Sequence, residues 1–311
     1  MSISQQARQL IQDQITEWPL AGRNYDGMEN IRTRSLHYDG FELFIQHNPE
    51  RIRSSAAKVD AKSIEARPCF LCQNNLPPEQ KGIPVLDDYL ILVNPYPIFP
   101  EHLTIPHQKH IDQKIEGKFT DMLELAVKLD DFVVFYNGPK CGASAPDHFH
   151  FQAGIKRFMP IENDFNKGNK HEIIKEQNGV KIFRWHNYLR NTISFKGNDI
   201  VTINLLFERI YARLLEFQPD EEEPMLNILS YYDCSEWTIH IFPRNLHRPS
   251  QYFEKGEKQI ILSPASVDLG GVLITPREED FNKLTKSNVE SIFKQVCLSG
   301  KPIEELYKSL L

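Results

Sequence analysis

Residues 147–154 read DHFHFQAG, and this alternation constrains the chain more than any other stretch. In a β-strand, residues two apart point to the same face. A strand here puts His148, His150 and Gln152 on one face and Phe149 and Phe151 on the other. One face then suits packing and the other suits chemistry. The five cysteines are an odd count with no secretion signal, which argues against a disulfide framework in place of a core. At 311 residues the chain exceeds the usual single domain, so two domains or one large duplicated domain is expected.

The surroundings of that strand point to an α+β unit. FELFIQHNPE (41–50) alternates and then stops at Asn-Pro, a strand running into a turn. YLILVN and HLTIP, separated by Pro95, Pro97 and Pro100, predict two strands joined by a stiff turn. FTDMLELAVKLDDF (119–132) carries an apolar stripe at helical spacing, and FVVFYNG (132–138) reads as a strand. That order predicts an antiparallel sheet with helices packed on one face. Residues 160–181 are polar and are the candidate linker.

A second half repeats the pattern: a helix over 200–217, then strands over 225–233 and 236–244. It lacks the GASAPDH segment and keeps a single histidine, His240, in its last strand, where a core or interface role is expected. The division expected is a catalytic half with the metal site at 1–165 and a degenerate copy at 166–311.

The loop NGPKCGASAP (137–146) leads into the histidine strand. Gly142, Ala143 and Ser144 let backbone N–H groups approach an anion, and Lys140 adds charge. The plain alternative is an ordinary glycine turn. A phosphate held there meets His148, His150 and Gln152. A neutral imidazole attacks phosphorus well and leaves again, which suits a two-step transfer. Gln152 can donate to a phosphoryl oxygen without adding repulsive charge.

Cys69 and Cys72, in Cys-x-x-Cys spacing, are half of a zinc site, a redox pair, or incidental. The sequence QNNLPPEQ after them does not read as the helix a redox motif opens. Either His107 or His110, with His148, would complete a Cys2His2 set. Asn94 and Asn137 end strands near the site and either contact ribose or phosphate or cap turns. Arg244, His247 and Arg248 in FPRNLHRP are candidates for a distal phosphate or sugar, against a solvated basic turn; Arg51 and Arg53 are weaker ones.

NGPKCGASAPDHFHFQ resembles the active-site segment of the galactose-1-phosphate uridylyltransferase branch of the histidine-triad superfamily. Relatives in that branch include the diadenosine tetraphosphate phosphorylases and the GDP-hexose phosphorylases. NPYPIFPEHLTIP resembles the strand-turn-strand that precedes the superfamily's helix, and RPCFLCQNN the metal segment of the uridylyltransferases. LSPASVDLGGVLITPREEDF (262–281) resembles the C-terminal end of the GDP-hexose phosphorylases. The resemblance implies a duplicated histidine-triad-like fold and a covalent nucleotidyl-histidine intermediate. It gives His150 the nucleophile's role, Gln152 the phosphate contact, and His148 the metal side with Cys69 and Cys72. It favours His110 over His107 as the remaining ligand. Asp147 adds a residue between Pro146 and His148 relative to the uridylyltransferases, which moves the expectation toward the phosphorylases.

The expected activity is therefore nucleotidyl transfer from a nucleoside diphosphate sugar, GDP-hexose favoured, to phosphate or a sugar phosphate. A dinucleoside polyphosphate phosphorylase or hydrolase and a silent nucleotide-binding protein are the alternatives. Structural zinc is expected and no redox cofactor. A net charge of -6 gives no case for nucleic acid, and no apolar run is long enough for a membrane. The opening MSISQQARQLIQDQITEWPL reads as an amphipathic helix rather than a leader, so a cytoplasmic location is expected. Relatives are often dimers, which leaves a homodimer open.

Overall fold

The computed structural model describes residues 1–51 and 61–311. Arg53 therefore lies outside the described residues. Helix α1 (Ile3–Glu17) starts at a reciprocal cap, in which Ser2 Oγ accepts from Gln5 N and Gln5 Oε1 accepts from Ser2 N. Pro19 starts the next helix, α2 (Pro19–Asp26). A hairpin of β1 (Arg32–Tyr38) and β2 (Phe41–His47) follows, turning at Gly40 with φ of +76°.

The strands of the first half are β3 (Gly82–Val85), β4 (Tyr89–Val93) and β5 (His102–Pro106), then helix α3 (Phe119–Lys128), then β6 (Phe132–Asn137) and β7 (His150–Ile155). After α4 (Pro160–Lys167) the same order recurs as β8 (His171–Gln177), β9 (Val180–Trp185), β10 (Ile193–Gly197), helix α5 (Ile200–Phe217), β11 (Leu226–Asp233) and β12 (Glu236–Pro243). Residues 160–181, expected as a linker, are thus a helix and most of a hairpin. The chain closes with α6 (Ser266–Leu269), β13 (Val272–Thr275), α7 (Glu278–Lys283), α8 (Lys286–Val296) and α9 (Lys301–Leu310).

These strands build one ten-stranded sheet in the order β3-β4-β5-β7-β6-β11-β12-β10-β9-β8. Every pairing in it is antiparallel. The order is a palindrome: each half runs first, second, third, fifth, fourth, and the two fourth strands meet at the centre. That symmetry is the duplication, expressed in topology.

Alternation along each strand divides the sheet into two faces. Phe149, Phe151, Val134 and Ile239 point to the face covered by α1, α2, α3, α5 and α9, where Phe119 and Phe207 stack at 3.9 Å. Val133, Phe135, Leu229 and Phe242 point to the other face. There a small sheet, β1-β2-β13, and helices α4, α7 and α8 complete a second core. Among the described residues no helix is long and apolar enough to cross a membrane.

On this second face Gly154 lets the Phe99 ring lie against β7, two residues from Gln152. A Cβ at Gly154 would stand 2.5 Å from the ring's Cγ. Phe99 is fully buried, so it has nowhere to retreat. Gly154→Ala is expected to cost about 1–3 kcal/mol by overpacking, read from the urea unfolding midpoint; an unchanged midpoint would contradict this packing.

Candidate active site

The polar residues of β7 open onto a cleft of about 580 Å³ on the second face. His150 and Gln152 line it, with Phe151 turned into the opposite core. His148 departs from the expected strand: it lies in the turn just before β7, and its ring points to another cluster. The alternation therefore covers His150 and Gln152, while His148 serves from outside it.

His150 is held on both sides. Its backbone N–H donates to Gln113 Oε1 at 2.8 Å, and its carbonyl accepts from Gln113 Nε2 at 3.0 Å. Its ring Nδ1 lies 2.8 Å from the His148 carbonyl. A carbonyl only accepts, so Nδ1 carries the proton and Nε2 keeps its lone pair. Burial pushes the imidazole down to about 4, so it is neutral and nucleophilic near neutral pH.

The glycine loop forms the floor. Gly142 has φ of +98°, and a Cβ there would stand 2.5 Å from Ala265 Cβ, so both its conformation and its neighbour require glycine. Among the described residues, the backbone N–H groups of Gly142, Ala143 and Ser144 have no hydrogen-bond acceptor. Asn137 has its Oδ1 fixed by Ser266 N at 2.9 Å and Asn227 Nδ2 at 2.8 Å, and it lines the cleft. Asn94 also lines it, with its Oδ1 taken by Tyr96 N and its Nδ2 shared between Thr104 and Gln152.

Two candidates stand away from the cleft. Lys140 turns outward to Glu221, 2.6 Å away, and is half exposed. Arg244 is fully buried, and all its donors are engaged within the protein. Nε donates to Val296 O; the η nitrogens donate to Asn227 Oδ1, Pro264 O, Leu246 O and His247 O. Arg244 thus holds Asn227, which in turn donates to Asn137 Oδ1 and Cys141 O. The expectation that Arg244 contacts a ligand gives way to a bracket beneath the glycine loop, because no N–H is left over. Its neighbours His247 and Arg248 do line the cleft, as does Arg51.

Sequence reasoning missed Gln113, His102 and the wall made by Ser263, Ala265 and Asp268. His102 carried a visible signal, since it alternates with Thr104 in HLTIP. Gln113 carried none, because its partners are distant in sequence; residues 263–268 lie in the 262–281 segment marked by resemblance, but nothing local placed them at the cleft. His240 is fully buried and bonds Ser194 Oγ at 2.8 Å, which is a core position.

Beside the cleft, Cys69, Cys72, His110 and His148 bring four donor atoms within 4.8 Å of one another. Cys69 Sγ lies 3.2 Å and Cys72 Sγ 3.6 Å from His148 Nδ1, and Cys72 Sγ lies 3.2 Å from His110 Nδ1. Such spacings suit the corners of a tetrahedron around one ion. His148 Nε2 donates to the His107 carbonyl at 2.7 Å, which leaves Nδ1 facing the cluster. Burial pushes the Cys69 thiol up, but the His148 ring and loop amides more than offset it and bring it down to about 6. The set can hold a metal. His107 stays outside, its Nδ1 accepting from Lys109 N. Asp147 pairs with Arg67 at 2.7 Å and so ties the cysteine loop to the start of β7.

Arg244→Met removes donors from several buried oxygens at once and is expected to cost at least about 3 kcal/mol. Lys140→Met breaks only a partly exposed pair and should cost less than about 1 kcal/mol. Urea unfolding of both variants checks this, and equal losses would contradict the assignment.

Residues 10–155 match the family model described as "Domain of unknown function (DUF4922)". Residues 165–311 match "GDPGP1-like, C-terminal domain". No curated protein sequence matches the chain. Yeast Ap4A phosphorylase Apa2 in complex with Ap4A is similar in structure, with 15% identity and a TM-score of 0.62, over 94% of this chain and 97% of that chain. The same enzyme in the structure described without a ligand gives a TM-score of 0.58 at 15% identity, over 94% of this chain and 98% of that one. At that identity the likeness speaks for the fold, and it agrees with the palindromic α+β architecture. The chain thus joins a first half similar to the DUF4922 domain and a second half similar to the GDPGP1-like C-terminal domain, on a fold similar to that of yeast Ap4A phosphorylase Apa2.

Proposed function

We propose that this protein is a phosphorylase-type nucleotidyltransferase that acts on a nucleoside diphosphate sugar of the GDP-hexose type through a nucleotidyl-histidine intermediate. The observation that carries the reading is the His150 ring, with its Nδ1 proton engaged by the His148 carbonyl and Nε2 free in the cleft.

In the first step Nε2 attacks the α-phosphorus, a P–N bond forms, and the P–O bond to the β-phosphate breaks. The sugar phosphate leaves. In the second step an oxygen of inorganic phosphate attacks the same phosphorus, the P–N bond breaks, and His150 is restored with a nucleoside diphosphate as product. The Nδ1 proton stays on the ring throughout, and the His148 carbonyl that accepts it offsets the positive charge that the ring gains. The free N–H groups of 142–144 and the amide nitrogens of Gln152 and Asn137 can stabilise the phosphoryl oxygens. Arg51, Arg248 and His247 line the same cleft and can supply charge and donors to the outgoing sugar phosphate or incoming phosphate.

Support for a GDP-hexose comes from the GDPGP1-like character of the second half. A second reading, dinucleoside polyphosphate phosphorolysis, is supported equally by the likeness to Apa2. Both use the same two steps and differ in the leaving group. A cytoplasmic setting agrees with five cysteines that are all free.

Zinc fits the Cys69, Cys72, His110 and His148 set, because two thiolates and two neutral imidazoles are a zinc-type donor group. Bound there it would act as a structural cross-link, joining the cysteine loop to the turn that presents β7. Purified protein should then carry close to one zinc per chain after dialysis; a content far below that would remove the assignment. Incubation with GDP-hexoses and Ap4A labelled at the α-phosphate should leave acid-labile label on the protein. His150→Ala should abolish it, and equal labelling of that variant would sink the covalent route. Adding phosphate to the labelled protein should release the nucleoside diphosphate.

A further inference from the structure

His102, on β5, is fully buried on the same sheet face as the cleft and does not itself line it. Its ring lies edge-on to Phe99, with centroids 5.2 Å apart. Such a histidine must satisfy two nitrogens, and its partners decide which one carries the proton. The backbone N–H of Ile98 donates to Nδ1 at 3.1 Å. A backbone N–H can only donate, so Nδ1 holds the lone pair and Nε2 holds the proton. Nε2 lies 3.1 Å from Gln152 Oε1.

Asn94 repeats the logic from the other side. The backbone N–H of Tyr96 donates to Asn94 Oδ1 at 3.0 Å. The Asn94 amide nitrogen is therefore turned toward Thr104 Oγ1 at 3.0 Å and Gln152 Oε1 at 3.5 Å. Two backbone donors thus reach Gln152 through two side chains, and both force its oxygen inward. Both donors come from the turn NPYPI, in which Pro95 and Pro97 have no N–H of their own.

We propose that His102 is a positioning residue for nucleotidyl transfer: with Asn94 it locks the Gln152 amide so that its nitrogen faces the phosphoryl group at His150. The inference rests on the function proposed above. The lock has a reason. The oxygen and nitrogen ends of a glutamine amide are nearly the same size, and the flipped amide would turn an oxygen toward the phosphoryl oxygens. Burial pushes the His102 imidazole down to about 3, with the Arg51 charge acting in the same direction, so the ring remains a neutral donor with one proton.

The two faces of the ring can be replaced separately. His102→Gln places an amide nitrogen near the position of Nε2 and keeps a donor for Gln152. His102→Asn keeps an acceptor for Ile98 and gives up the bond to Gln152. Single-turnover labelling of His150 is measured with α-phosphate-labelled GDP-glucose and Ap4A, and folding is followed by urea midpoint. His102→Asn should slow labelling on the order of 10-fold or more, while His102→Gln stays within about 3-fold of wild type. In a Gln152→Ala background His102→Asn should cost nothing further. A wild-type rate for His102→Asn overturns the proposal, and so does a loss that persists in the Gln152→Ala background. If His102→Asn does not fold, His102→Gln decides alone, and a loss of about 10-fold or more overturns it.

A wild type that takes no label with any nucleotide removes the enzymatic reading instead. The orientation is then read without turnover, from nuclear magnetic resonance of isotope-labelled histidine. A proton on His102 Nε2 supports the lock, and a proton on Nδ1 contradicts it.

Discussion

The pairing of β6 with β11 carries the site, because it sets Asn227 of the second half opposite Asn137 of the first. Through that one register the second half reaches the glycine loop. Arg244 donates to Asn227, and Asn227 donates to Asn137 and to Cys141 O. Ser266, beyond the second copy's last strand, donates to Asn137 Oδ1 and to the Tyr136 carbonyl. A buried guanidinium with every N–H engaged is a rigid bracket, and its cost in desolvation is met by the five oxygens around it. The second half has no His-x-His pair, yet the floor under the first half's pair depends on it.

The same physical device recurs around the cleft. Polar side chains are oriented by backbone groups that can act in only one sense. The His148 carbonyl settles His150, the His107 carbonyl settles His148, and the Ile98 and Tyr96 N–H groups settle His102 and Asn94. Each of these groups is buried or partly buried, where an unmet donor or acceptor is costly, so the alternatives are closed off. For the proposed transfer, an imidazole with its lone pair already aimed into the cleft would have little reorganisation left to do.

What could be read in the sequence follows from which of these contacts are local. The strand around His150 was legible because a period of two is a local pattern, and Phe149 and Phe151 lie in the core as that period requires. The four-residue cluster was legible in part: the Cys-x-x-Cys spacing of Cys69 and Cys72 is local, whereas the choice of His110 over His107 came from the family resemblance. The hairpin of β8 and β9 was not. β8 is the sheet's edge strand, its burial is slight, and its polar residues read as a linker. Arg244 misled for a different reason: a basic residue after a strand looks solvated, and the carbonyls that enclose it come from residues 246, 247, 264 and 296. His102 and Gln152 are 50 residues apart, so only the β5–β7 pairing reveals that they meet.

The proposed reaction consists of two displacements at one phosphorus atom. The most direct test follows the stereochemistry of a substrate made chiral at the α-phosphorus with sulfur, a GDP-hexose or Ap4A analogue, as phosphate replaces its leaving group. Two in-line steps through His150 invert the centre twice and give net retention. Net inversion would mean that phosphate attacks the substrate directly, and the nucleotidyl-histidine would have no place in the reaction.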